Sequence, residues 1–137
     1  MQAASAAVDT SSGAVRAIVG GRKYVTRRGL NRATQLRRQP GSALKPLAVY
    51  APAIESAGWT CASVILDAPT AFGTYKPRNA GNAYYGNVTV RTALKNSLNI
   101  PAVKVLQAIG VQTAQRYLRR VGIELDDRDA NLSLALG

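Results

Sequence analysis

Histidine does not occur in this 137-residue sequence. Without an imidazole there is no Ser-His-Asp triad, no Cys-His pair and no histidine-ligated metal site, so any catalytic base must be of another residue type. Cysteine occurs once, as Cys61 in "WTCAS". That excludes an intrachain disulfide, and the expectation for this thiol is core filler. Aromatic residues make up only 6% of the chain and do not interleave with basic positions, which argues against a stacking platform for nucleic acid. No apolar run approaches the roughly 18 residues of a membrane span, and "MQAASAAVDT" lacks a basic segment leading into an apolar one. Met1 leads straight into an expected strand, the kind of start that a piece of a longer protein would have.

What the sequence does contain is positive charge: 18 Lys plus Arg against seven Asp plus Glu, a net +11. The basic residues come in pairs such as Arg27-Arg28, Arg37-Arg38 and Arg119-Arg120 rather than in one run. This balance favours anionic partners and keeps a second reading open, a non-catalytic basic module that binds anionic polymers or nucleic acid. The length is that of about one domain, and at 47% hydrophobic residues the chain can hold a core.

Along the chain, "AASAAVDTSSGAVRAIVGG" reads as a β-hairpin turning at Asp9–Gly13. "RKYVTRRGLNRATQLRRQPG" is polar and aperiodic, a loop with a short helical turn. "PLAVYAPAIESA" is apolar enough for a buried helix kinked at Pro52 and stopped by Gly58. From Trp59 to Gly86 the density of proline, glycine and asparagine predicts mostly loop. "NVTVRTALKNSLNIPAVKVLQAIG" predicts two helices broken at Ser97-Leu98-Asn99, with Thr89 capping the first, Asn99 the second, and Gly110 ending it. Val111, Ala114, Leu118 and Val121 share one face of a third helix ending at Gly122.

Two constellations carry chemistry. In "RRQPGSALKPLAVY", Ser42 and Lys45 are three residues apart at an expected helix start, on one face. A serine hydroxyl attacks only when its proton is taken, and a lysine takes it only when neutral, which requires a depressed pKa. Pro46 denies Ser42 a normal helical partner, so the turn between them should be tight or irregular. The plain alternative is a helix cap beside a surface lysine. The second constellation is Ser97-x-Asn99, where a link between helices can project a hydroxyl and an amide into a cleft; its plain alternative is capping by Asn99.

"RATQLRRQPGSALKPLAVYAPAIE" resembles the active-serine segment of the transpeptidase domain of class A, bifunctional penicillin-binding proteins. "YKPRNAGNAYYGNVTVRTALKNSLNIPAVKVLQAIG" is similar to the segment of that domain with the Ser-x-Asn motif, and "AAVDTSSGAVRAIVGG" to its first hairpin. Ser-x-x-Lys, Ser-x-Asn and a later Lys-Thr-Gly form one motif set in these enzymes and in class A β-lactamases.

The resemblance implies an α+β fold, with residues 1–137 forming a partial transpeptidase domain: an N-terminal hairpin plus a helical region, the later sheet strands missing. It implies Ser42 as nucleophile, Lys45 as general base, Ser97 as proton relay and Asn99 as a substrate-binding amide. The implied partners are D-Ala-D-Ala stem peptides of peptidoglycan and β-lactams, outside the cytoplasmic membrane, with no metal or organic cofactor and no nucleic acid. No Lys-Thr-Gly occurs in the sequence. Weak activity of the isolated chain, and self-association through an unpaired sheet edge, are therefore expected.

Overall fold

The computed structural model describes residues 1–137, apart from the side chain of Asp127. They form two compact units, Met1–Gln39 and Pro40–Gly137, in the mixed helix-and-strand class that the sequence predicts.

In the first unit, β1 (Ser5–Val8) and β2 (Val15–Val19) pair antiparallel, with an irregularity between Ala7 and Val8. The turn cluster closes the hairpin as its composition predicts. Asp9 Oδ1 accepts from the backbone N–H and the hydroxyl of Ser11 at 2.9 and 2.7 Å, and Arg16 pairs with Asp9 Oδ2 at 2.7 Å. These bonds hold the Asp9 carboxyl well below the usual range. Every residue of both strands is exposed, so this ribbon rests on its ladder and turn rather than on a core. The polar segment after it contains turns only.

The second unit begins where proline shapes the helix. A regular α-helix would have residue 46 donate to the Ser42 carbonyl, and Pro46 has no N–H. The Lys45 N–H donates to Ser42 O instead, giving a 3₁₀ turn over Gly41–Leu44. Pro46–Tyr50 follows as a π-helical turn, closed by the Ala51 N–H on Pro46 O, and α1 (Ala51–Ser56) carries Pro52 in its opening turn. The helix expected here therefore runs on without a break in backbone conformation, passing from 3₁₀ to π to α hydrogen bonding.

The loop expected between Trp59 and Gly86 contains β3 (Val64–Asp67), paired antiparallel with β4 (Gly86–Thr89). The strands are four residues each, too short for an alternation signal to stand out among prolines and glycines. Cys61 is exposed, not core; it lies in the turn entering β3, where its carbonyl accepts from the Arg91 N–H at 3.1 Å.

Helix α2 (Val90–Lys95) is capped by Thr89, whose hydroxyl accepts from the Thr92 N–H at 3.2 Å. Helix α3 (Asn99–Ile109) is the centre of the unit: Ile100, Ala102, Val103, Val105 and Leu106 are all completely buried. Gly110, at φ 82°, ends α3 and starts α4 (Val111–Arg120), a reversal that a side chain would strain. Ala114 and Leu118 face the core as predicted, but Val121 is exposed, because the helix stops at Arg120 and the chain leaves that face. A 3₁₀ segment over Leu132–Leu136, capped by Asn131, buries Leu134 and Ala135.

Candidate active site

Ser42 lies in the 3₁₀ turn with its side chain exposed. Gly137, at φ 85°, lies directly on the backbone of Gly41, so that a side chain at 137 would displace the residue before Ser42. Lys45, one turn on, is only 1% exposed. Its Nζ donates to Ser97 O at 2.6 Å, to Ser97 Oγ at 3.2 Å and to Asn99 Oδ1 at 2.6 Å. Three acceptors match the three protons of an ammonium. Burial nevertheless lowers the Lys45 pKa to about 8, against 10.5 for a free lysine.

The acceptors come from the break between α2 and α3. Ser97 has φ 53°, a left-handed conformation rare outside glycine, and its carbonyl and hydroxyl both meet Lys45. Asn99 does not cap α3, contrary to expectation. It is the first helical residue, and its amide spans two partners: Oδ1 accepts from Lys45 and Nδ2 donates to Arg78 O at 2.7 Å. Lys45, Ser97 and Asn99 are therefore brought together. Among the described residues no hydrogen bond joins Ser42 Oγ to any of them; what links Ser42 to Lys45 is the backbone bond of the 3₁₀ turn.

Residues 3–132 match the family model described as the penicillin binding protein transpeptidase domain. The chain belongs to that family, in its class A form. It is 43% identical over 130 residues to penicillin-binding protein 1F of Bacillus subtilis (strain 168), covering 95% of this chain and 18% of that protein. It is 40% identical over 144 residues to penicillin-binding protein 1A of Neisseria meningitidis (serogroup A, strain Z2491), covering 100% of this chain and 18% of the relative. Among solved structures it is similar to penicillin-binding protein 1A of Haemophilus influenzae, with a TM-score of 0.89, 35% identity, and coverage of 99% of this chain and 21% of the other. The chain thus spans about a fifth of the length of these relatives.

Two further residues of this transpeptidase-family domain were not singled out from the sequence. Asp67 closes β3, completely buried, and Asn79 lies in the following loop, 5% exposed. Asn79 Nδ2 donates to both Asp67 oxygens, at 2.8 and 2.9 Å, and to Ala83 O at 2.9 Å; the Tyr85 N–H also donates to Asp67 Oδ2. Asn79 Oδ1 accepts from the N–H groups of Asn99 and Ile100, at 2.8 and 3.1 Å. Burial, together with the negative charge of Asp67, pushes the Tyr50 phenol well above its usual range. The available signal was Asp67 itself, a carboxylate at an inward position of "VILD", which requires a partner when buried.

Proposed function

We propose that the chain carries the nucleophile-bearing part of a D,D-transpeptidase site that forms an acyl-enzyme with D-Ala-D-Ala stem peptides and with β-lactams. Ser42 Oγ attacks the carbonyl of the penultimate D-alanine, or of the lactam ring, as its proton passes to neutral Lys45 Nζ. The tetrahedral centre collapses, the C–N bond breaks, and the leaving amine takes a proton relayed through Ser97 Oγ. Asn99 holds Lys45 through Oδ1, and in this reading its amide also binds the substrate's acyl chain. Attack on the ester by an amine of a neighbouring stem peptide releases Ser42 and makes the cross-link, on the outer side of the cytoplasmic membrane.

The observation that carries this reading is the Lys45 amine, buried and lowered to about 8 while bonded to both Ser97 and Asn99. A lysine serving only as a surface charge would be exposed and keep its ordinary pKa. The Lys-Thr-Gly strand that supplies a further oxyanion donor in the family is not in this sequence, so acylation by the chain alone is expected to be slower by about 10² to 10³.

The test is long incubation with a fluorescent penicillin, with the adduct mapped by mass spectrometry. A covalent label on Ser42 that disappears in Ser42→Ala is expected. No label, or a label that survives Ser42→Ala, overturns the reading. The labelling rate should rise about fivefold from pH 7 to pH 8, since the neutral fraction of a lysine at about 8 grows from roughly a tenth to a half. A flat profile argues against Lys45 as base.

A further inference from the structure

The first turn of α3 must satisfy its free backbone donors. Leu98 N–H finds Ala93 O at 2.9 Å, Pro101 has no N–H, and Leu98 offers no side-chain cap. The two remaining donors, on Asn99 and Ile100, both go to Asn79 Oδ1, some twenty residues earlier in the chain. The cap of this helix is therefore supplied from a distant loop. That releases the Asn99 side chain, the local candidate for capping, to bridge Lys45 and Arg78 O.

We infer that Asn79, locked by the buried carboxylate of Asp67, is a positioning residue of this site: it fixes the first turn of α3 and so holds the Asn99 amide on Lys45. Asn79 can do this in one orientation only. Its amide nitrogen is committed to Asp67 and Ala83, so its oxygen must face α3. The groups that bond Lys45 Nζ are neutral, and the carboxyl side chain hydrogen-bonded into this network is that of Asp67. Residues 78 and 79 together make three bonds to Asn99 and Ile100, two from Asn79 and one from the Arg78 carbonyl. Removing the Asn79 side chain leaves two donors of α3 unpaired and the Asp67 carboxylate without its amide, so the turn carrying Asn99 opens and Lys45 loses an acceptor and its cover.

The functional meaning of this inference rests on the acyl-transfer reading above, but its test does not. The 137-residue chain is treated with an amine-acetylating reagent, and the rate at each of the five lysines is followed by peptide mass spectrometry. In the parent, Lys45 is the protected one. In Asn79→Ala, its rate should rise about tenfold, the size expected for losing a helix cap, while Lys104 on the same helix stays near its parent rate. In Asn79→Asp, two carboxylates face each other and Lys45 should be at least as reactive. Adding Asp67→Asn to Asn79→Asp restores an amide-to-carboxylate pair with the oxygen still on α3, and should return most of the protection despite the lost bond to Ala83 O. The swap also decides the matter if Asn79→Ala does not fold.

Unchanged Lys45 protection in folded Asn79→Ala overturns the inference. So does a swap variant no better protected than Asn79→Asp alone. Penicillin labelling runs in parallel: a parent chain that never acylates defeats the proposed function, whereas the lysine rates still decide the role of Asn79.

Discussion

The molecule contains two antiparallel ribbons of nearly equal strand length, and only one of them has buried residues. All nine residues of β1 and β2 are exposed, including Val8, Val15, Ile18 and Val19. In β3 and β4 alternate residues turn inward, so that Ile65, Asp67 and Val88 are buried and Val64 and Leu66 are not. Helix α3 packs on β3, and Lys104 of that helix donates to Leu66 O at 2.7 Å. Strand pairing alone therefore does not decide what a ribbon contributes. The covered ribbon can hold a carboxylate out of water and put it to use, whereas the bare one presents its carboxylate, Asp9, to an arginine at the surface.

Truncating the same side chain in each unit should give the largest difference between them. Ile100→Ala, at a completely buried position, should cost about 2 to 5 kcal/mol in urea unfolding. Ile18→Ala, at 45% exposure, should stay within about 0.5 kcal/mol. Similar losses at the two positions would mean that β1–β2 is covered in solution.

A smaller effect separates the units by pH. Lys45 titrates at about 8 when folded and at 10.5 when free. Between those values the unfolded chain binds a proton that the folded chain does not, so stability rises with pH across that window, by about 2 to 3 kcal/mol. Lys45→Met should flatten the rise. Asp9 behaves in the opposite sense: its folded pKa is depressed, so its contribution is present above the ordinary carboxylate range and is lost only in strong acid. Denaturation midpoints from pH 7 to 10, with and without Lys45→Met, check the first; hairpin amide shifts followed into acid check the second.

The smallest contrast concerns hydroxyls. Thr89→Ala removes a helix cap and should cost about 1 kcal/mol. Ser11→Ala, in the exposed hairpin turn, should cost less than about 0.5 kcal/mol. Equal values would place the two turns on the same footing.

Much of this was legible in local sequence. Asp9–Gly13 reads as a hairpin turn, Pro46 as the cause of an irregular turn after Ser42 and Thr89 as a cap, and of the four residues that the two spacings single out, Lys45, Ser97 and Asn99 meet in the structure. Each of these signals sits within a few residues of its effect. What escaped was set by contacts between remote segments. Strands β3 and β4 pair Val64 with Thr89 and Asp67 with Gly86, and four-residue strands that far apart carry no local signature. Asn99 has a good capping side chain, but Asn79 caps α3 from another segment and Asn99 is drawn to Lys45. Cys61 has an apolar character that favours burial, yet it falls in a turn that faces solvent.

One of the shortest bonds to the Lys45 amine, at 2.6 Å, ends on the main chain of residue 97. It follows that an exchange of the side chain there reaches the amine through the hydroxyl or through the backbone angle, not by removing this acceptor. A glycine or alanine at 97 would silence the hydroxyl and leave the mooring intact, provided the backbone keeps its left-handed bend, so the hydroxyl can be weighed separately from the anchor that holds its neighbour.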